Sequence, residues 1–223
     1  MALTYAQARE QMVREQIVKR GVSDPLVLAA MEKVPRHEFV EEAMRDRAYE
    51  DNPLSIGEGQ TISQPYMTAL MAETLKLAEG EKVLEVGTGS GYLTAILAEQ
   101  GAQVCSVEMS ARLAQRARGV LQKLGYHNIS ILVGDGTLGW EEEAPFDAII
   151  IGAAAPCLPR PLLTQLRMGG RLVLPMGEAD LQTLVRLWKE RKGFREEYFG
   201  ECRFVKLQGA YGWDNWSEPK EES

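Results

Sequence analysis

Val83-Leu84-Glu85-Val86-Gly87-Thr88-Gly89-Ser90-Gly91-Tyr92 is the stretch on which the fold turns. An apolar run gives way to three alternating glycines, and a helical pattern resumes at Leu93, Ile96 and Leu97. That order predicts a buried strand, a tight turn and a helix, an arrangement that holds a nucleotide-like ligand above a sheet edge. A dinucleotide fingerprint would place its third glycine where Tyr92 stands. Glycine at 87, 89 and 91 instead favours a nucleoside without a pyrophosphate, with S-adenosylmethionine ahead of NAD.

Outward from this turn, strand and helix patterns alternate. Strands are expected at 82–86, 103–107, 129–133, 146–151 and 171–175, with helices at about 91–99, 111–124 and 159–167. Ser110 reads as an N-cap and Gly125 as the residue after a helix end. The rhythm is that of an α/β, doubly wound, Rossmann-like sheet, mostly parallel. Leu181–Trp188 and Glu201–Leu207 read as a late antiparallel pair. Towards the N-terminus, helices are expected over Tyr5–Lys19, Leu26–Lys33 behind Asp24-Pro25, and about His37–Arg45. Residues 51–64 form a glycine- and polar-rich loop before a helix opening at Pro65. The 223 residues suit one domain: N-terminal helices and loop over 1–64, an α/β core over 65–213, and a flexible tail over 214–223.

Composition limits the partners. Net charge is -7, with 25 basic and 32 acidic side chains, and no dense Lys/Arg run marks a nucleic-acid face. Cys105, Cys157 and Cys202 lie far apart and read as free thiols. Neither a secretory pattern nor a membrane-length apolar run is seen, so the cytoplasm is the expected compartment. Histidine and cysteine are scattered, so no metal site is expected. His37 and His127 are assigned packing or surface roles.

Three acidic residues fall at strand ends. Glu108 follows Gly87 by 21 residues, the distance at which a second strand returns to the sheet edge, and its carboxylate can accept both ribose hydroxyls. Asp135, in Gly134-Asp135-Gly136, is placed to accept from an adenine amino group. Glu85 is expected to bind the glycine-loop amides or the ligand's amino group. With Gly87, Thr88, Gly89, Ser90, Gly91, Met109 and Gly136 they make the candidate cofactor set. The alternative for each acid is a solvated strand end.

The segment Ala48-Tyr49-Glu50-Asp51-Asn52-Pro53-Leu54-Ser55-Ile56-Gly57-Glu58-Gly59-Gln60-Thr61-Ile62-Ser63-Gln64-Pro65 resembles the signature of the protein-L-isoaspartate (D-aspartate) O-methyltransferase family. The glycine motif, Glu108, Gly134-Asp135-Gly136, Phe146–Ala155 and Gly169–Val173 follow that family in order and spacing, over residues 10–210. The glycine motif is generic to methyltransferases; Gly59–Pro65 is specific. The resemblance implies the class I methyltransferase fold, S-adenosylmethionine as donor, and isoaspartyl or D-aspartyl residues of damaged proteins as acceptor. It implies Ser63 as the essential loop serine, Glu108 as the ribose acid and Asp135 as the adenine acid. It also implies that Ile56, Gln60, Thr61, Ile62, Ser63 and Val205 meet the substrate peptide. Lys206 stands where the family usually has proline. Local sequence alone also allows Ser63 as an N-cap, Gln60, Thr61 and Gln64 as partners of their own loop, and Tyr92 beside either ligand or sheet. A monomer is expected. The rival functions are an RNA or small-molecule methyltransferase, an NAD oxidoreductase and a non-enzymatic nucleotide-binding regulator.

Overall fold

The computed structural model describes residues 3–215. Its centre is a seven-stranded sheet in the order β5-β4-β3-β6-β7-β8-β9. The strands are β3 (Lys82–Val86), β4 (Gln103–Glu108), β5 (Ile129–Val133), β6 (Phe146–Ile151), β7 (Leu166–Gly177), β8 (Gln182–Glu190) and β9 (Gly193–Cys202). The first five pair in parallel, and β8 and β9 are antiparallel. A two-stranded hairpin, β1 (Leu54–Gly57) with β2 (Gln60–Ile62), stands apart from it.

Period-2 alternation divides the sheet's side chains between two cores. Val83, Val104, Ala148, Ile150 and Val173 face α3 (Pro65–Leu75) and α4 (Tyr92–Glu99), through Met71, Leu75 and Leu97. Leu84, Val86, Ile149, Ile151 and Leu172 face the other way, towards Leu162 of α6 (Arg160–Gln165). Both faces are covered, which is why β3 and β6 read as mainly apolar runs without strict alternation. A third core joins α1 (Tyr5–Met12), α2 (Pro25–Lys33) and the segment after it to α4 and α5 (Ala111–Lys123), through Met31, Phe39, Tyr92, Ile96 and Leu113. This confirms the Rossmann-like class with an N-terminal helical addition.

Several local expectations hold closely. Asp24 caps α2 by accepting from Leu26 and Val27, Ser110 caps α5 by accepting from Leu113, and Gly21 and Gly125 have positive φ. Others are corrected. The first helix leaves α geometry at Val13, passing through a π turn over Val13–Ile17 and a 3-10 turn over Val18–Arg20. The third helix is instead two 3-10 turns, Arg36–Phe39 and Glu42–Arg47. Between them Val40 is extended and buried, and a β-branched residue favours that extended backbone over a helical one. The 51–64 loop contains the β1–β2 hairpin, and α6 is shorter than expected. The last strand is β9, not 201–207. Its Arg195-Glu196-Glu197 pattern hides an edge strand, where ion pairs Arg186–Glu197 and Arg195–Glu190 cross the hairpin in place of apolar alternation. Residues 203–207 run on as an isolated bridge between Ala154 and Lys206. The expected flexible tail lies mostly outside the described residues; Asp214 and Asn215 close a 3-10 turn from Trp213.

Candidate active site

The chain visits β3, β4 and β5 in one direction, then crosses to the other side of β3 for β6. Open α/β sheets bind ligands beyond the carboxyl ends of the strands at such a reversal. Here the two chains leaving that point are the glycine turn after β3 and Gly152 after β6, whose amide donates to the Val86 carbonyl at 2.9 Å.

The turn is built for left-handed backbone. Gly87, Gly89 and Gly91 have φ of 90°, 53° and 86°, values that side chains with a Cβ rarely adopt. Their amides are all engaged within the protein: Gly87 donates to the Val107 carbonyl, Gly91 to the Thr88 carbonyl, and Gly89 to Glu108 Oε2 at 2.8 Å. A phosphate needs such amides free. With them engaged and a carboxylate among them, the turn disfavours a pyrophosphate, which argues against NAD.

Glu108 is nearly buried at the end of β4. Its Oε1 accepts from the Ser110 amide at 2.9 Å, so the side chain ties the glycine turn to the start of α5. Each oxygen keeps one further acceptor position, enough for two ribose hydroxyls. Glu108 lines a crevice of about 90 Å³ with Gly87, Gly89, Met109, Gly136 and Lys206. Gly136 belongs there because a Cβ would lie 2.6 Å from Val86 Cγ1. These residues fit the nucleoside of S-adenosylmethionine: an anchored acid, glycine backbone, and glycine amides already engaged within the protein.

The other two acids have different first tasks. Asp135 Oδ1 accepts from the Thr137 amide and hydroxyl, and Oδ2 accepts from the Ala210 amide at 2.7 Å. It holds the C-terminal segment against the sheet end and keeps one acceptor position on Oδ2. Glu85 contacts no glycine amide, which corrects that expectation. It is fully buried beneath the turn, where Oε2 accepts from Thr94 and Ser106 at 2.6 and 2.7 Å. Its Oε1 has no partner, and burial pushes its carboxyl up to about 7 against the pull of the two hydroxyls. Thr88 also turns inward, 2.5 Å from the Ser106 hydroxyl, and the Ser90 hydroxyl accepts from the Tyr92 amide. The Tyr92 ring packs edge-on against Phe39, 5.5 Å between centroids, and so belongs to the N-terminal core.

The hairpin faces the glycine turn. Ile56 is buried, with its Cδ1 3.6 Å from the position a Cβ on Gly89 would take. Ile62, Thr61 and Ser63 line a small crevice of about 50 Å³ against Gly87, Gly89 and Gly152. Gln60 and Thr61 border the Glu108 crevice. Ser63 and Thr61 also border a groove of about 680 Å³, together with Tyr66, Phe199, Arg203 and Val205. Thr61 and Gly152 are common to all three hollows. Ser63 is not the cap of α3; that position is Gln64, whose side chain makes no capping bond. Among the described residues no hydrogen bond engages the Ser63 hydroxyl, while its carbonyl accepts from Arg36 at 2.7 Å. Gln64 is a partner of its own loop, donating to the Asp51 carbonyl.

Val205 is held at the mouth by its carbonyl, which accepts from Ala154 at 2.7 Å, and Leu207 donates back to the Ala154 carbonyl. The Lys206 amide takes no part in this ladder, and its ammonium lies 5.2 Å from the Trp213 ring centroid. His37 bonds the Tyr49 hydroxyl and stacks on Tyr5 in the N-terminal layer, and His127 is exposed. Among the described residues no cluster of three or more His, Cys, Asp or Glu is placed to hold a metal. Sequence reasoning missed Gly152 and Arg36 as site neighbours. The end of the Phe146–Ile151 run was a signal for the first; nothing local marked the second.

A family model described as protein-L-isoaspartate(D-aspartate) O-methyltransferase matches residues 7–212. A protein-L-isoaspartate O-methyltransferase of Syntrophus aciditrophicus is 55% identical over 212 residues, covering 94% of this chain and 97% of its own. A solved structure described as a protein-L-isoaspartate O-methyltransferase superposes with TM-score 0.83 at 31% identity, covering 92% of this chain and 67% of that one. Another, from Plasmodium falciparum and in complex with S-adenosyl-L-homocysteine, has TM-score 0.75 and 28% identity, covering 90% of this chain and 98% of that one.

Proposed function

The chain belongs to the protein-L-isoaspartate(D-aspartate) O-methyltransferase family, and on that premise we propose that Ser63 orients the acceptor carboxylate while the glycine turn and Glu108 hold the donor. Its activity is S-adenosylmethionine-dependent methylation of isoaspartyl residues in damaged proteins. The observation that carries the division of roles is that Ser63 borders both the wide groove and the crevice against the glycine turn.

S-adenosylmethionine supplies a methyl group activated by its positively charged sulfur. The chain's own task is alignment. An isoaspartyl α-carboxylate has a pKa near ~3.5 and is ionised at neutral pH, so no general base is required. That agrees with the lining of the groove and crevice at Ser63, which among the described residues includes neither histidine. The Ser63 hydroxyl donates one neutral hydrogen bond to the carboxylate, fixing its direction without strongly reducing its nucleophilicity. Thr61, Gly152 and Val205 flank the point where groove and crevice meet, and the wide groove receives the peptide on either side of the damaged residue. D-aspartyl residues present a β-carboxylate as a second acceptor. The methyl ester then leaves, and attack by the following peptide nitrogen expels methanol to give a succinimide whose hydrolysis returns some normal aspartate. We further infer a monomer, since a single exposed substrate residue fits one, and a cytoplasmic setting, supported by the free thiols of Cys105, Cys157 and Cys202.

The test is methyl transfer from labelled S-adenosylmethionine to one peptide carrying isoaspartate, D-aspartate or L-aspartate at the same position. Base-labile label released as methanol is expected from the isoaspartyl peptide, less from the D-aspartyl peptide, and none from L-aspartate. Equal labelling of all three would contradict the proposal.

A further inference from the structure

Arg36 is fully buried, yet among the described residues no carboxylate bonds it. Its Nε donates to the Ala48 carbonyl and its Nη2 to the Ser63 carbonyl, each at 2.7 Å. Its guanidinium carbon lies 4.8 Å from the centroid of the Tyr92 ring, at the start of the helix that follows the glycine turn. Among the described residues Nη1 is buried without a partner, as is Asp51 Oδ1; the Tyr92 and Tyr49 hydroxyls, and after them the Asp51 charge, favour the cationic form of Arg36 against burial. Burial pulls the guanidinium down only to about 10, so it is charged at neutral pH.

Burying such an ion costs several kcal/mol even after relaxation, and two neutral carbonyls, an aromatic face and a carboxylate that does not bond it offset that poorly. A well-packed apolar residue would serve stability better. What the guanidinium provides is geometry: its planar fork holds two carbonyls at fixed directions. Those carbonyls belong to the two ends of the segment that carries the hairpin. Ala48 precedes it and Ser63 closes it, while Tyr92, whose ring packs in the N-terminal core, opens the helix that follows the glycine turn.

We propose that Arg36 is a positioning residue for the methyl transfer, setting the direction of the Ser63 hydroxyl relative to the glycine turn through its bond to the Ser63 carbonyl. This rests on the role given to Ser63 above. The buried cation thereby links the N-terminal addition to the chemistry. Removing its fork loosens alignment without touching the groups that hold the donor.

Arg36→Lys, Ser63→Ala and the double variant form the test, with kcat on an isoaspartyl peptide, donor Kd and thermal unfolding measured for each. Arg36→Lys is expected to lower kcat at least tenfold with donor Kd within threefold of wild type. In the double variant kcat is expected within twofold of Ser63→Ala alone, since Arg36 acts through that residue. Losses that multiply in the double variant, or a donor Kd that weakens in step with kcat, would make Arg36 merely structural and overturn the proposal. If Arg36→Lys does not fold, Arg36→Gln, which keeps one donating nitrogen, is read by the same criteria. Ser63→Ala with wild-type turnover would instead remove the Ser63 role itself, whereas a slow Ser63→Ala beside a normal Arg36→Lys would overturn the Arg36 proposal alone.

Discussion

Glu85 and Glu108 occupy neighbouring strands and look alike in the sequence, but the pleat separates their fates. Glu85 shares its side of β3 with Val83, towards α4, so it meets Thr94 inside the protein. Glu108 ends its strand and reaches the turn amides. Strand-end placement was legible for both; which face each carboxylate took was not. Glu85 has a folded-state value of about 7 against an ordinary 4.5, so the native protein holds this proton more tightly than the unfolded chain. Its contribution is complete below 4.5 and is lost as pH rises towards about 7. Replacing Glu85 by Gln removes that slope. The melting temperature of Glu85→Gln relative to wild type should therefore rise between pH 5 and pH 7.5. A difference independent of pH would show that Glu85 does not titrate there. At Gly136 the packing is equally specific: alanine would press on Val86 at the donor crevice. Gly136→Ala should weaken donor binding by about tenfold, corresponding to ~1.4 kcal/mol, measured by calorimetric titration.

The hairpin and the last strands show where local patterns fail. Within 51–64 only Leu54, Ile56 and Ile62 are buried, too few for a strand pattern to stand out. β9 carries charge on a sheet edge, where ion pairing across the hairpin replaces apolar spacing. The caps of α2 and α5 were legible because each depends on a single side chain and the next three amides. The segment after β9 is held through Val205 and Leu207 and leaves the Lys206 amide out of the ladder. That leaves room for a proline at this position, which has no amide to donate. Lys206→Pro should keep the bridge to Ala154, leaving the unfolding temperature within 2 °C, roughly the shift of well under 1 kcal/mol in a domain of this size. A peptide KM raised more than about tenfold by Lys206→Pro would instead mean that the lysine itself holds substrate, a difference of ~1.4 kcal/mol.

At the scale of the molecule, the alternation of strands and helices was readable, and so was the glycine turn. The order of the strands was not, because it depends on pairings between segments distant in sequence. That order places Gly152 beside Gly87 and makes one cleft of pieces from the hairpin, the turn and the segment after β9. The N-terminal layer completes the cleft by carrying Arg36 and the loop ahead of Ser63. A monomer satisfies this arrangement, and sedimentation equilibrium should return a mass near 24.8 kDa; a stable dimer would contradict that expectation. The central claim is that donor and acceptor are held by separate groups meeting at Ser63. It is tested most directly by measuring kcat and donor Kd for Ser63→Ala beside Glu108→Ala. Ser63→Ala should lower kcat by about 10- to 100-fold, the effect of one lost hydrogen bond at the transition state, with donor Kd unchanged. Glu108→Ala should weaken donor binding foremost. Equal losses of donor affinity in the two variants would contradict the account.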